Sequence, residues 1–537
     1  MNRFADLLDM LAFTPSRNAK LSLLQDYFRT VPDPERGYAL AAIVRDLDIL
    51  AVKPAQLREL ISARMDAELF AYSYDYVGDL AETIALAWPE KAGKAVGRND
   101  APGLAEVVET LQASSRRDGP KLVEDWLDRL DPPGRYALLK LVTGGFRMGL
   151  SARLVKQALA GFGQVEVNEI EELWHGLTPP YLDLFAWLEG SGPRPVNAAA
   201  APFRPVMLSH AIDIGDFDKL DPADFTAEWK WDGIRVQATS ERGVSRLYTR
   251  TGDDISAAFP DLVDAIGFDG ALDGELLVAR PGGDGIETGT FSDLQQRLNR
   301  KTVTARQVRD YPAFFRAYDL LQDGAEDLRA NPFLDRRARL EAFVARLDPM
   351  RFDCSDMLTF ADWDELAAHR ANPPLAVIEG VMIKRKASPY LPGRPKGEWF
   401  KWKRDPFLID AVLMYAQRGH GKRSGFYSDY TFGVWREPGE LVPVGKAYFG
   451  FTDAELVQID KYVRDNTMER FGPVRSVRAD LEKGLVFEVA FEGINRSSRH
   501  KSGVAMRFPR ISRLRWDKPP GEADRLETLE RMIDGAA

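Results

Sequence analysis

The stretch AEWKWDGIRVQATS, residues 227 to 240, sets Lys230 between two tryptophans and follows it with an acid, a glycine and an arginine. By residue preference it is β-structure: Trp229, Trp231, Ile234 and Val236 favour extended backbone, and a lysine interleaved with them ordinarily reaches water. Whether Lys230 does more than that depends on what surrounds it in the rest of the chain.

The chain of 537 residues is too long for one ordinary core, so several domains are expected. Hydrophobic residues at 45% and charged residues at 28% describe a globular protein. No uninterrupted apolar run approaches the roughly 20 residues that a membrane span needs. The start, MNRFADLLDMLAFTPS, has a charged, helix-like pattern without a small-residue cleavage site, so no signal peptide and a cytoplasmic location are expected. The single cysteine, Cys354, excludes an internal disulfide and a four-cysteine zinc site, and nothing beside it would activate a thiolate.

The net charge of −9 argues against a protein that coats nucleic acid with its whole surface, yet the charge is unevenly spread. Residues 381–404 carry +7 and residues 491–518 carry +6, which leaves −22 on the remainder. Such concentration reads as a polyanion site on an acidic body.

From Met1 to about Gly190, apolar residues recur at spacings of three and four, as in GLAEVVETLQASS, and DPERG, RDGP and DPPGR punctuate the run as turns or helix starts. An all-α domain is therefore expected over 1–195, followed by a Pro- and Ala-rich linker, SGPRPVNAAAAPFRP. Over 203–404 the runs FTAEWKWDGIRVQATS, VSRLYTRTG, ALDGELLVAR, AFFRAYDLL and AVIEGVMIKRK are strand-like, with a helix near NPFLDRRARLEAFVARL, so an α+β domain is expected. Over 405–537, five strand-like runs, the last of them AMRFPRISRLRW, and one helical segment, TDAELVQIDKYVRDN, suit a small β-barrel such as an OB-fold.

Lys230 heads an ordered series. EWKWDGIR is followed by YTRTGDDIS with Arg250, LDGELLV with Asp273 and Glu275, and FRAYDLL with Tyr318 and Asp319. Then come IEGVMIKR with Glu379 and Lys384, EWFKWK with Lys401 and Lys403, and RFPRISRLRWDK. This set resembles the covalent nucleotidyltransferases and, in detail, the ATP-dependent DNA ligases. LLKLVTGGFRMGLSARLVKQALA, residues 138–160, is similar to the end of the helical DNA-binding domain of many such ligases; VGKAYFGFTDAEL and INRSSRHKSGVAMRFPR are similar to their OB domain.

The resemblance implies an ATP-grasp-like core and a lysine, Lys230, that attacks ATP to form a phosphoramidate with AMP. An attacking lysine must be neutral, and from a reference pKa near 10.4 that costs about 4 kcal/mol at pH 7.5 unless the site helps. Arg235, Arg250, Lys401, Lys403, a bound Mg²⁺ (or Mn²⁺) and partial burial between Trp229 and Trp231 are the expected help. Lys401 and Lys403 alternate by two on a strand, so both can reach one phosphate. By the family pattern Glu275 contacts the ribose or metal, Glu379 serves a metal, Tyr318 stacks on adenine and Glu228 sits near the adenine edge. Arg394 resembles a phosphate-binding arginine, although GRPKGEW is one residue longer than the usual spacing. Arg510, Arg513, Arg515 and Lys518 would face the leaving group or DNA. His420 and His500, in basic loops, read as surface or phosphate contacts.

The expected substrate is nicked double-stranded DNA, bound by a monomer, in bacterial repair. RNA ligases and capping enzymes share the lysine motif and are the alternative; they lack a helical domain resembling LVTGGFRMGLS. NAD-dependent ligases carry a four-cysteine zinc site that this chain cannot build.

Overall fold

The computed structural model describes residues 1–77, 79–89, 100–146, 148–197, 199–282, 285–298, 300, 302–418, 426–471, 474–497 and 500–533. It divides into two compact units, Met1–Lys403 and Arg404–Ala537, and His420 lies outside the described residues.

The first unit begins with twelve α-helices among the described residues, from Asn2–Phe13 to Leu182–Leu188. Leu104, Val107, Val108 and Leu111 of GLAEVVETLQASS are all buried, as their spacing predicts, each worth about 1.5–3 kcal/mol of apolar burial. Ser16, Asp79, Asp131 and Ser151 cap their helices by accepting backbone N–H groups, and Pro132 opens the DPPGR helix, where its missing N–H costs nothing. One core, running from Phe4 through Leu40 and Leu138 to Phe185, gathers these helices. The expected linker does not stay in solvent. Ala201 and Phe203 are buried, and Phe203 packs with Val206 and Tyr248.

The run FTAEWKWDGIRVQATS is two strands, Phe225–Trp231 and Ile234–Glu241, in two different sheets. Asp232 and Gly233 make the passage. A side chain on Gly233 would come within 2.5 Å of the Leu276 carbonyl oxygen, so the close approach of backbone to backbone demands glycine. Phe225–Trp231 pairs antiparallel with Ile378–Arg385, which pairs antiparallel with Trp399–Lys403. Ile234–Glu241 lies between Val244–Thr249 and Gly270–Gly282, and the latter pairs with Ala313–Asp323. The helix Phe333–Val344, expected from its sequence, covers Ala313–Asp323; the helix Trp363–Ala371 was not anticipated. Both sheets are built mainly from antiparallel pairs, in keeping with an α+β core.

The second unit has nine strands among the described residues where five were expected. The long strand Phe407–Arg418 pairs with Tyr427–Glu437 on one side and with Val486–Phe491 and Val474–Val477 on the other. Ile511 donates its N–H to the Phe449 carbonyl, which brings the far edges of the curled sheet together. The run AMRFPRISRLRW is broken in two. Phe508 adopts a left-handed φ of 50°, so Val504–Arg507 pairs with Gly493–Arg496 while Arg510–Arg515 pairs with Val486–Phe491. The helix Asp453–Asp465 matches its sequence and is capped by Thr452. Among the described residues, no helix is long and apolar enough to cross a membrane.

Candidate active site

Strand register assembles the site. Gly380, on the middle strand of three, is paired with Lys230 on one side and Lys403 on the other; Met382, two residues on, is paired with Glu228 and Lys401. Side chains two apart share a face, so Glu228, Lys230, Lys401 and Lys403 rise from one surface of the sheet. Trp229 and Trp231 are buried in the apolar cluster of the opposite face. The expectation that Lys230 is sheltered between the two rings is therefore corrected: alternation points the rings away from it, and the lysine side chain is 22% exposed. The register shifts between Ile378 and Gly380, an irregularity eased by the φ of 146° at Gly380, and the intervening Glu379 meets the lysine. Lys230 Nζ donates to Glu379 Oε2 at 2.6 Å, and Lys403 Nζ stands 3.7 Å from the same oxygen. Lys401 is surrounded by cations. Burial, then the fields of Lys403, Lys230, Arg394 and Arg250, lower its pKa, so four of the other motif cations stand close enough to Lys401 to disfavour its charge.

The neighbouring sheet supplies Arg235, Asp273, Glu275 and Tyr318. Arg235 grips Asp273 with two hydrogen bonds, Nε to Oδ1 at 3.1 Å and Nη2 to Oδ2 at 2.6 Å. Tyr390, a residue that no motif flagged, donates its hydroxyl to the same Oδ2 at 2.6 Å. The guanidinium lies 5.8 Å from the Tyr318 ring centroid. Arg235 is thus paired with Asp273, which offsets part of the charge expected to act on Lys230. Glu275 is different. Burial pushes its carboxyl up to about 8, although Lys230 and Arg235 pull it down, so burial outweighs the two cations and favours the neutral acid.

Beneath Tyr318 the charges are fully enclosed. Glu228 is ion-paired with Lys384, whose amine also faces the rings of Tyr318, Phe333 and Trp399 at 4.4–4.8 Å. Burial raises the Glu228 pKa against the pull of Lys384 and Arg337, and its Oε2 has no hydrogen-bond partner. Asp319 and Arg336, both wholly buried, form a two-point pair.

The motif cations of the second unit hold carboxylates of their own unit. Lys518 Nζ is 2.7 Å from Asp410 Oδ2, Arg515 reaches Asp410 and Asp517, Arg513 reaches Glu488 at 3.2 Å, and Arg510 lies 3.8 Å from Glu492. His500 bonds Ser497 at 2.7 Å. Burial pushes the Cys354 thiol up to about 11, in keeping with an inert packed residue.

Among the described residues, no three of His, Cys, Asp and Glu gather into a ready-made metal cage. Glu275 and Glu379, facing one another's field beside Lys230, are the carboxylates that fit a hard divalent cation completed by phosphate oxygens and water.

Three consecutive family descriptions match the chain: DNA ligase N terminus over residues 1–160, ATP dependent DNA ligase domain over 206–403, and ATP dependent DNA ligase C terminal region over 423–518. A probable DNA ligase of Koribacter versatilis is 32% identical over 99% of this chain and 96% of its own. A DNA ligase 1 of Korarchaeum cryptofilum is 30% identical over 99% and 98%. Among solved structures, the one titled Pmar-Lig_Pre shares the fold with a TM-score of 0.60 at 14% identity, covering 96% of this chain and 99% of that one. With its motifs in order and its length matched almost end to end by these relatives, the chain belongs to the ATP-dependent DNA ligase family.

Proposed function

We propose that the chain seals nicks between a 5′-phosphate and a 3′-hydroxyl in duplex DNA through an AMP carried on Lys230, acting as a monomer in repair. The single observation that carries the reading is Lys230 Nζ held 2.6 Å from Glu379 Oε2, beside Lys403 and Lys401. A helical domain, an ATP-grasp-like core and an OB barrel would grip the duplex backbone rather than read its bases.

In the first step Lys230 Nζ attacks the α-phosphorus. A nitrogen–phosphorus bond forms, the bond to the bridging oxygen breaks, and pyrophosphate leaves. The amine must shed its proton, which the pair with Glu379 opposes until that carboxylate is drawn onto a cation. Lys401 and Lys403 offset the charge that collects on the α-phosphate, and Arg250 and Arg394 extend that field. Tyr318 offers its ring to adenine, with the Glu228 carboxylate below. A Mg²⁺ at Glu275 and Glu379 would add charge neutralisation at the phosphates. In the second step a 5′-phosphate oxygen of DNA attacks the AMP phosphorus and Lys230 leaves as amine. In the third, the 3′-hydroxyl attacks the 5′-phosphorus and AMP departs.

The test is a singly nicked duplex incubated with ATP and Mg²⁺. Joined strand with the wild-type chain and none with Lys230→Ala supports the proposal; joining by the variant, or activity only on nicked RNA, refutes it.

A further inference from the structure

The helical segment packs against the turn that carries Arg250. Its short turn Trp174–Gly176 sets the His175 ring 5.3 Å from Phe203 and 5.3 Å from Tyr248. Tyr248 and Phe203 also pack on each other, and the Tyr248 hydroxyl donates to the Ala201 carbonyl. Tyr248 lies two residues before Arg250, at the end of the strand Val244–Thr249.

The turn that follows is closed by Gly252 N–H to the Thr249 carbonyl and Thr249 N–H to the Asp253 carbonyl. At Gly252, with φ 89°, a side chain would fall within 2.8 Å of His175 Nε2, so imidazole and turn are in close contact. Burial, then Lys156, lowers the His175 pKa to about 4, so at neutral pH the ring is an uncharged aromatic wedge. The same helical segment meets the other arginine loop. The Arg153 guanidinium abuts Gly393, the residue before Arg394, and Glu172 pairs with Arg329, whose carbonyl receives the Tyr390 N–H.

We propose that His175 is a positioning residue for nucleotide transfer: wedged between Phe203, Tyr248 and Gly252, it fixes the turn that presents Arg250 to the ATP phosphates. The helical segment then serves the first chemical step, before any DNA is bound. A truncated chain starting near Pro202 would keep its motifs but lose this wedge, so its adenylation would be slower. The proposal rests on the reading of Arg250 as a phosphate contact, and the experiment separates the two.

Single-turnover self-adenylation of the full chain is followed with α-labelled ATP and Mg²⁺, without DNA, across ATP concentrations. His175→Ala is expected to lower the ratio of maximal rate to half-saturating ATP by about tenfold, as small misplacements of a charge-stabilising group do. His175→Phe, which keeps the ring, should restore most of it. On an Arg250→Ala background, His175→Ala should add less than about twofold, because the group it positions is gone. Where His175→Ala fails to fold by melting, His175→Gln carries the same expectations. Normal adenylation by Arg250→Ala would overturn the reading of Arg250. Impaired Arg250→Ala with wild-type behaviour of the His175 variants, or a full His175 penalty on the Arg250→Ala background, would overturn the positioning role.

Discussion

Asp319→Ala is expected to destabilise the unit Met1–Lys403 by about 3–5 kcal/mol, the usual result of stranding one member of a buried ion pair. Asp319 and Arg336 both have side chains at 0% exposure, joined by Nε to Oδ1 at 2.8 Å and Nη2 to Oδ2 at 2.9 Å. The remaining nitrogen, Nη1, is fixed by the carbonyls of Asn331 and Ser388, so the guanidinium cannot swing to water when the carboxylate goes. Asp319 follows Tyr318 directly, and Ser388 lies two residues before Tyr390, so the same change should raise the half-saturating ATP concentration for self-adenylation. Urea unfolding followed by tryptophan fluorescence is a suitable assay, because nine of the eleven tryptophans lie in this unit. The double variant Asp319→Leu, Arg336→Met should recover most of the loss, since it removes both charges together. A loss under about 1 kcal/mol for Asp319→Ala would refute the argument, for it would mean that the guanidinium finds solvent or another partner.

Acid should weaken the joint at His175. Its pKa lies below the unfolded value of 6.5, at about 4, so the unfolded chain takes up the proton first; the stability it contributes is complete above pH 6.5 and is lost as pH falls toward 4. Lys156 opposes its protonation, Asp253 and Asp254 favour it, and Arg45 and Asp46 line the same cavity. Relative to His175→Phe, wild type should lose up to about 2 kcal/mol between pH 7.5 and pH 5 in paired urea titrations, and a pH-independent difference would contradict this. Arg515→Ala and Lys518→Ala should each depress self-adenylation by about tenfold or more while sealing of an already adenylated nick falls much less, because cations there would orient departing pyrophosphate. The reverse pattern would assign them to DNA.

Much of the site was legible because it is carried by strands. Period-two alternation predicts that Lys401 and Lys403 share a face, and that alternation, applied to Trp229 and Trp231, would also have placed both rings away from Lys230. What the sequence could not show is pairing between distant segments. Tyr390 is invisible as a site residue until Asp273, 117 positions earlier, is found beneath its hydroxyl. The split of FTAEWKWDGIRVQATS into two sheets depends on the close approach of Gly233 to Leu276, and the break in AMRFPRISRLRW on a left-handed residue at Phe508, which its residue type does not announce. His175 reads as a lone histidine in a helical region, and its contacts with the Arg250 turn lie some 75 residues downstream.

The most direct test asks whether Lys230 carries AMP. The chain is incubated with α-labelled ATP and Mg²⁺ without DNA, digested, and the labelled peptide sequenced by mass spectrometry. One AMP is expected on the peptide spanning Lys230, with an acid-labile bond as in a phosphoramidate, release of label when nicked DNA is added, and no label on Lys230→Ala. Label on another residue, or undiminished label on Lys230→Ala, would contradict it.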